Sequence, residues 1–359
     1  IDLFHNHPDI RLVKLFSPEH GIRGKIKAGA KVNDSRDRRT GLPIISLYGG
    51  DTGFRPTAEH LRGVDILVYD VQDVGSRAYT YIWSMAEAMT ACGKHNVQMM
   101  VLDRPCVFGA DTVDGPICDT RYNSLLTRFA LPRVYGMTAG ELARYFNARH
   151  GLGCHLTVIP MAGYERGMTF RQAGARWVPP SPNIPDVSAA CLFPATGTLG
   201  MCGQVHMGIH TEHPFQLVGA PWLDARHAAE TLSNCGLQGV AFKPSSFVSK
   251  GFFKGKRVHC VLMEVTDVTT IRPATIELVW LVYLSRTYPE HFVWERKRQR
   301  GFDRAMGTAS VRLAVQRGDS LQTILRSWRR QQQRFRRQRK AFLIYPRRQA
   351  VVRAPRPRR

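Results

Sequence analysis

A carboxylate, an imidazole and a guanidinium follow one another closely in the stretch SPEHGIRG at residues 17–24. Glu19 and His20 come just after the apolar run LVKLF, where a buried strand is expected to end. A carboxyl group in such a place can act as a general acid or base if burial raises its pKa. The alternative is structural, with Glu19 capping the loop through an ion pair with Arg23. Residue type and spacing leave both interpretations of Glu19 open.

Polar side chains also follow two later apolar runs. Asp70 or Asp73 could supply the second carboxylate of glycosidic-bond hydrolysis, and the alternative is that one of them pairs with Arg77. Tyr79 and Tyr81 could stack on a sugar ring, although such tyrosines more often pack at the start of a helix. The candidates at these strand ends are Asp70, Gln72, Asp73, Arg77, Tyr79, Tyr81, Asp103 and Arg104.

Four short apolar runs predict the strands that would place these residues, at 10–16, 42–49, 64–71 and 97–104. The runs are nearly continuous, which is typical of strands covered on both faces. Helices are predicted at 57–63, at 76–96 with an end near Gly93, and from Thr138, whose spacing to Glu141 fits a capping box. This alternation predicts an α/β domain with a parallel sheet and helices on its faces. Ligands of such sheets bind at the carboxyl ends of the strands, where the candidates lie.

The proline-rich stretch WVPPSPNIP at 177–185 predicts a break between two domains. The sequence therefore divides into domains at 1–183 and 184–347, followed by a basic tail at 348–359. In the second domain we predict a half-buried strand at 259–267, an apolar helix at 276–289 and a long terminal helix at 318–346.

Composition narrows the function classes. With 359 residues and 43% hydrophobic side chains, the chain can form two cores, and it has no apolar run long enough for a membrane span. The formal net charge is +23, and 14 of the 51 Lys and Arg residues lie after Asp319, where Asp and Glu do not occur. The tail from Arg348 is predicted to be disordered and to contact any polyanion. No zinc-finger, RNP or helix-turn-helix signature supports specific nucleic-acid binding.

Metal, nucleotide and disulfide chemistry are not expected. His206, His210 and His213 have helical spacing, but they lie among glycines and Pro214, so neither a metal nor another cofactor is predicted. The P-loop, the GxSxG elbow and a GxGxxG motif after a strand are missing from the sequence. The eight cysteines form no CxxC pair, which is typical of buried free thiols.

Several stretches, taken in order, resemble one family. They are LFSPEHGIRG, TGLPIISLYG, RPTAEHLRGVDILVYDVQDVGSRAYTYI, VLDRP, VDGPI, GMTAGELARYFN, WVPPSPNIP, PFQLVGAPW and FDRAMGTASVR. To about Pro346, the chain is similar to the exo-β-N-acetylmuramidases of bacterial peptidoglycan recycling, long catalogued as a domain of unknown function. The SPEHG and QDVG-x-R motifs are the most specific part of this resemblance.

The resemblance implies a Rossmann-like catalytic domain, whose first strand would precede Ile1, and a smaller α+β auxiliary domain. It implies an active site in the cleft between them and hydrolysis of the β-1,4 bond of a non-reducing-end N-acetylmuramic acid, without a cofactor. The partners would be peptidoglycan fragments, met in the periplasm or outside the cell. Glu19 becomes the leading catalytic candidate.

The resemblance also assigns substrate-binding candidates. Arg23 or Arg77 would suit the lactyl carboxylate of muramic acid by charge and geometry. His20, Ser181 and Asn183 come from two of the matching motifs. Whether the second reacting group is a protein carboxylate or the acetamide of the substrate stays open.

The chain departs from the family pattern in the stretch GMCGQVHMGIHTEHPF. Met201 and Met207 stand where the family has glutamates, Gln204 replaces an asparagine and Ile209 an arginine. Elsewhere Tyr135 replaces a histidine. Two rivals to the hydrolase therefore remain: a muropeptide-binding relative without turnover, and a protein that binds polyanions through its basic tail.

Overall fold

The fold is described from a computed structural model, for residues 1–48, 54–122, 124 and 126–347. The predicted tail at 348–359 lies outside the described residues. The strands are β1 (Leu15–Ser17), β2 (Ser35–Arg36), β3 (Pro43–Ser46), β4 (Ile66–Tyr69), β5 (Gln98–Leu102), β6 (Asp114–Ile117), β7 (Pro132–Val134), β8 (Leu156–Ile159), β9 (Leu217–Ala220), β10 (Val240–Val248) and β11 (Arg257–Val265). The α-helices are α1 (Asp2–His5), α2 (Ala58–Leu61), α3 (Tyr81–His95), α4 (Ala139–His150), α5 (Val187–Thr196), α6 (Ala225–Ser233), α7 (Pro273–Thr287), α8 (Arg296–Met306), α9 (Ser310–Gln316) and α10 (Leu321–Arg339).

Parallel strands dominate the first half. β4, β5 and β8 pair in parallel in the order β4–β5–β8, and β1 runs parallel to β3. This confirms the α/β class and the later three predicted strands, whereas the strand expected at 10–16 begins only at Leu15. Ser17 of β1 faces Ser46 of β3, so the carboxyl ends of these two strands lie side by side.

Helices α3 and α4 share an apolar core with one face of the β4–β5–β8 sheet. The predicted capping box of α4 is present, with reciprocal hydrogen bonds between Thr138 and Glu141. Helix α3 continues through Gly93 to His95 and ends where Asn96 adopts the left-handed conformation. A Cβ at position 93 would collide with the carbonyl oxygen of Leu152, so this close approach requires glycine within the helix.

The other face of this sheet is more open than the apolar runs predict. Ile66, Val68 and Ile159 point to that face and are 42, 36 and 42% exposed. Leu67 and Tyr69 point to the opposite face and are buried. Because α3 and α4 both pack on one side, β4 alternates between buried and exposed side chains, unlike a strand covered on both faces.

The second half contains an antiparallel sheet in the order β10–β11–β9. The strand predicted at 259–267 is β11, and the helices predicted at 276–289 and 318–346 are α7 and α10. Within the described residues, no helix has the length and apolar character needed to cross a membrane. All eight cysteines are free thiols, and Cys235 differs from the other seven in being exposed.

The apolar core runs across the proline-rich stretch. One cluster joins Val74 and Phe108 of the first half to Trp280 and Trp328 of the second. Helix α10 also contacts the first half, because its Phe335 packs into the core that α3 and α4 share with the sheet. The last described segment therefore completes the first half.

Candidate active site

Glu19 lies two residues after β1, at the paired carboxyl ends of β1 and β3, and is 8% exposed. Its Oε1 accepts a hydrogen bond from the Gly29 amide (2.9 Å), and its Oε2 accepts one from the Thr80 hydroxyl (2.8 Å). The Tyr48 hydroxyl, two residues after β3, lies close to this carboxyl group. Burial, together with the charge of Glu19, raises the pKa of Tyr48 to about 12. Two hydrogen-bond donors therefore hold the Glu19 carboxylate, with Tyr48 beside them.

His20 turns the chain next to this carboxylate. Its φ is +72°, a left-handed conformation that non-glycine residues rarely adopt. Its Nδ1 lies 2.9 Å from the carbonyl oxygen of Ile26, which can only accept, so the neutral ring carries its proton on Nδ1 and a lone pair on Nε2. The ring centroid lies 6.0 Å from that of Tyr79 and 6.1 Å from that of Tyr81. Strain held in this way is common at functional sites.

Tyr79 and Tyr81 pack within the site instead of presenting their faces to a sugar. They are 5 and 2% exposed, so the stacking role is not supported. Tyr81 donates a hydrogen bond to the Pro180 carbonyl, and the Tyr79 ring meets Phe193 edge-on at 5.5 Å. Burial raises the pKa of both hydroxyls above the ordinary value, so both stay protonated. The two rings hold His20 in place.

The proline-rich segment forms one side of the site. A Cβ on Gly24, whose φ is +65°, would lie 2.8 Å from the Pro179 carbonyl oxygen. Ser181 is buried next to the Tyr79 hydroxyl, which has no hydrogen-bond partner among the described residues, while Asn183 is half-buried. Ser181 therefore belongs to the surroundings of Glu19 and His20.

Arg23 does not pair with Glu19. Its guanidinium binds Asp37 through three hydrogen bonds of 2.9–3.2 Å and contacts Asp2 at 3.4 Å. Hydrogen bonding from Arg23 lowers the pKa of Asp37. The alternative interpretation, in which Glu19 forms an ion pair with Arg23, is therefore wrong, and two carboxylates already balance the charge of Arg23.

Arg77 lies in the interior, where a substrate does not reach it. It is fully buried and donates hydrogen bonds of 2.7, 3.1 and 2.6 Å to the carbonyl oxygens of Leu126, Ala305 and Met306. Burial lowers its pKa to about 10, which leaves it charged near neutral pH. The structure contradicts its assignment as a ligand for the lactyl group or as a partner of Asp70 or Asp73. Arg77 instead joins the first half to the end of α8.

Asp70 and Arg104 form a partly exposed ion pair at the carboxyl ends of β4 and β5. The Arg104 Nε and Nη2 atoms lie 2.8 and 2.6 Å from one carboxylate oxygen of Asp70. The pair lines a cavity of about 290 Å³ together with Asp103 and Tyr164. Asp70 is therefore engaged by Arg104, and its hydrogen bonds do not connect it to Glu19 among the residues described.

Asp73 and Gln72 shape a buried turn after β4. Asp73 accepts hydrogen bonds from the Gly75 amide (2.9 Å) and the Tyr135 hydroxyl. Burial raises the pKa of Asp73 to about 6, although these two hydrogen bonds act to lower it. The Gln72 amide donates to the carbonyl oxygens of Asp73 and Pro105. Asp73 can thus hold a proton close to neutral pH. Its hydrogen-bond partner is Tyr135, the residue that stands in place of a histidine of the family pattern.

Asp103 has a structural role at the start of α4. Its carboxylate accepts hydrogen bonds from the Thr138 hydroxyl (2.6 Å), the Gly140 amide (2.8 Å) and the Tyr345 hydroxyl (2.6 Å). Its interactions with helix and C-terminal residues explain its position better than substrate binding does.

Two residues of the site were not identified from the sequence. Tyr48 ends the run LPIISLYG, so the rule that selected Glu19 could have selected it. Thr80 lies between two candidate tyrosines, but only the fold shows that its hydroxyl meets Glu19.

The stretch that departs from the family pattern supplies no acid to Glu19 among the described residues. Gly200 faces Met207, Gln204 donates to the Val293 carbonyl oxygen (2.7 Å), and Met201 is 41% exposed. The described part of the chain also holds no group of three His, Cys, Asp or Glu side chains able to bind a metal.

Comparison with known proteins decides the family. A model of the N-terminal domain of the exo-β-N-acetylmuramidase NamZ matches residues 1–188, and a model of its C-terminal domain matches residues 191–345. The chain belongs to the NamZ family of exo-β-N-acetylmuramidases. It is 38% identical over 346 residues to the peptidoglycan β-N-acetylmuramidase NamZ of Bacillus subtilis (strain 168), with 96% of this chain and 82% of the relative covered.

Solved structures of NamZ relatives agree with this fold. Two DUF1343 family proteins from Bacteroides fragilis NCTC 9343 match 96 and 95% of this chain and 89 and 88% of their own. The first has a TM-score of 0.88 at 33% identity, and the second has a TM-score of 0.69 at 30% identity. The α/β first half and the second half of this NamZ-family chain are therefore shared with proteins of known structure.

Proposed function

We propose that this chain is an exo-acting glycoside hydrolase that releases N-acetylmuramic acid from the non-reducing end of peptidoglycan-derived saccharides. The observation that carries the proposal is the Glu19 carboxylate, held by two hydrogen-bond donors at the carboxyl ends of two parallel strands. The B. subtilis relative, named as a peptidoglycan β-N-acetylmuramidase, supports the same substrate class. We place the reaction outside the cytoplasm, where this polymer lies.

Glu19 would transfer the proton. The bond between the anomeric carbon and the bridging oxygen breaks as the protonated Glu19 carboxyl group gives its proton to the leaving oxygen. A water oxygen then bonds to the anomeric carbon, and a proton of that water returns to Glu19. Thr80 positions the Glu19 carboxyl group through its hydroxyl group, and the Tyr48 hydroxyl lies beside it. His20 offers the lone pair of Nε2 to a substrate hydroxyl, because its Nδ1 is engaged by Ile26.

The second reacting group is proposed to be the acetamide of the substrate. Among the described residues, Asp70 is engaged by Arg104, and Asp73 by Tyr135 and Gly75. The carboxylate pair that other glycosidases use is therefore not assembled around Glu19. The same observation favours the second candidate function, a muropeptide-binding relative that does not turn over.

The division into a catalytic domain at 1–183 and an auxiliary domain at 184–347 stays a prediction. The segment at 179–181, which contacts Gly24 and Tyr81, supports a boundary close to the proposed site. Arg23 remains the proposed ligand of the lactyl carboxylate. Asn183, which follows the segment at 179–181 in the sequence, also remains a proposed substrate ligand. Binding would require Arg23 to turn from Asp37, which makes its contribution small.

The test is release of the chromophore from a chromogenic β-N-acetylmuramide. We expect turnover by the wild-type chain and a loss of about 10²–10⁴-fold in kcat for Glu19→Gln, since acid/base catalysis is worth that much. Glu59→Gln, which removes an exposed carboxylate from α2, is the matched control and should keep full activity. Binding of the muramide to the wild type without any release would replace the hydrolase with the binding relative.

A further inference from the structure

Helix α10 carries a continuous basic face that the proposed reaction does not use. Its 19 residues include seven arginines and no acid. Two of them point to the protein, since Arg336 donates to the Val113 carbonyl oxygen and Arg339 to those of Tyr135 and Gly136. The remaining five are exposed, as is the lysine that follows the helix. We call this set the arginine face: Arg326, Arg329, Arg330, Arg334, Arg337 and Lys340.

The geometry of the helix turns these cations outward together. At about 100° per residue, the arginine face covers an arc of about 140° and runs about 21 Å along the axis. Ile324, Trp328 and Phe335 occupy the opposite side and are buried. Because its apolar side is enclosed in the core, the helix can offer only charge to a partner and cannot insert into a bilayer.

The arginine face is not balanced within the described chain. None of its six side chains forms an ion pair with any described residue. Arg326 and Arg330, like Arg330 and Arg334, are four residues apart, a spacing at which like charges destabilise a helix by about 0.2–0.5 kcal/mol per pair. Arg149 of α4 extends the surface, because it and Arg334 both act on the Tyr145 hydroxyl. Arg337, in the last turn, interacts favourably with the helix dipole, but the like-charge spacing of Arg326, Arg330 and Arg334 does not serve helix stability.

We infer that the arginine face binds the carboxylate-bearing peptides of insoluble peptidoglycan and holds the protein on the polymer that it trims. The inference rests on the proposed function for the identity of the polymer. Guanidinium groups bind carboxylates bidentately, and a row of them suits many carboxylates spaced along a strand. Single-stranded nucleic acid fits less well, because both aromatic residues of α10 are buried and leave no ring for base stacking.

The test compares co-sedimentation of the full chain with peptide-bearing peptidoglycan and with the same glycan after an amidase has removed the peptides. We expect Arg326→Gln, Arg330→Gln, Arg334→Gln and Arg337→Gln together to weaken binding to the peptide-bearing polymer about tenfold at low salt, with the wild-type advantage shrinking as salt rises. The matched control removes four cations from the β10–β11 hairpin: Lys250→Gln, Lys254→Gln, Lys256→Gln and Arg257→Gln. The control should bind like the wild type, and both variants should hydrolyse the soluble muramide like the wild type.

Three results would overturn the inference. Equal losses in the two quadruple variants would mean that net charge alone drives binding. Equal binding to the stripped glycan would exclude the peptide carboxylates as ligands, because the amidase leaves only the lactyl carboxylates on the glycan. Tighter binding to a DNA duplex or to anionic phosphatidylglycerol vesicles, with the same dependence on the four arginines, would assign the face to another partner. If the wild type sediments as expected but does not cleave the muramide, the proposed hydrolase fails while the arginine face stands.

Discussion

Thr80 makes a single hydrogen bond that decides where one oxygen of Glu19 points. Thr80→Val keeps the shape of the side chain and removes the donor, so Glu19 should lose its orientation. We expect kcat to fall about tenfold with little change in KM, since the loss is equivalent to about 1.4 kcal/mol in the transition state. Thr80→Ser should restore most of the rate. Thr90→Val, which alters the same helix away from Glu19, should leave kcat unchanged.

Asp73 makes stability depend on pH. Burial raises its pKa from 3.8 to about 6, so the folded protein binds this proton more tightly than the unfolded chain. Between those pH values, the contribution of Asp73 to stability is present at the acidic end and is lost as the pH rises. Relative to Asp73→Asn, the wild type should lose about 2–3 kcal/mol from pH 4 to pH 7. Urea unfolding at several pH values measures this, and parallel curves for the two proteins would contradict it.

The sequence predicts local features of the elements better than their packing. The capping box at Thr138 is readable because its two residues are three positions apart and bond each other. The position of Glu19 can also be predicted from local sequence, because it follows the end of the strand directly before it. Arg77 was misassigned because its partners at Ala305 and Met306 are 228 and 229 residues away, beyond any local pattern. Asp103 was misassigned for the same reason, since Tyr345 is 242 residues away.

Gly24, in the loop after β1, is restricted both by its positive φ and by a neighbouring segment, whereas Gly41, between β2 and β3, is restricted by its φ alone. Gly24 and Gly41 both have positive φ, but only Gly24 lies against a neighbouring backbone, whereas nothing lies within 4 Å of a Cβ on Gly41. Gly41→Ala should therefore cost about 1 kcal/mol from backbone strain alone. Gly24→Ala should cost at least about twice that and also lower kcat, because Pro179 must move. Equal costs in chemical unfolding would show that the proline-rich segment yields without resistance.

At the scale of the whole molecule, buried charges tie the two halves together. Arg133 of β7 and Glu277 of α7 lie 3.4 Å apart with both side chains fully buried. Burial raises the pKa of Glu277 to about 7, against the attraction of Arg133. Arg133 also contacts Thr198 and the carbonyl oxygen of Ala305. The folded protein therefore holds the neutral Glu277 carboxyl group more easily than the charged one, in spite of the neighbouring cation.

Relative to Glu277→Gln, the wild type should therefore lose about 3 kcal/mol of stability as the pH rises from 4 to 8, because burial disfavours the charged carboxylate. Because one apolar core spans both halves, amide hydrogen exchange at pH 8 should be faster in the wild type than in this variant, in α3 as well as in α7. Exposed Glu290→Gln is the control and should change neither. Faster exchange confined to α7 would show that the two halves open independently.

The contacts of the C-terminal segment with the first half also determine when the first half can finish folding during synthesis. Glu141 receives the Ile344 amide, and Asp103 receives the Tyr345 hydroxyl, from residues translated 203 and 242 positions later. At about 5–20 residues per second, a ribosome needs roughly 10–50 s to make that stretch. Throughout this interval the nascent first half lacks Phe335, Ile344 and Tyr345. Because these residues contribute to its core and to its buried hydrogen bonds, the first half can be completed only after α10 and the segment to Tyr345 have been translated.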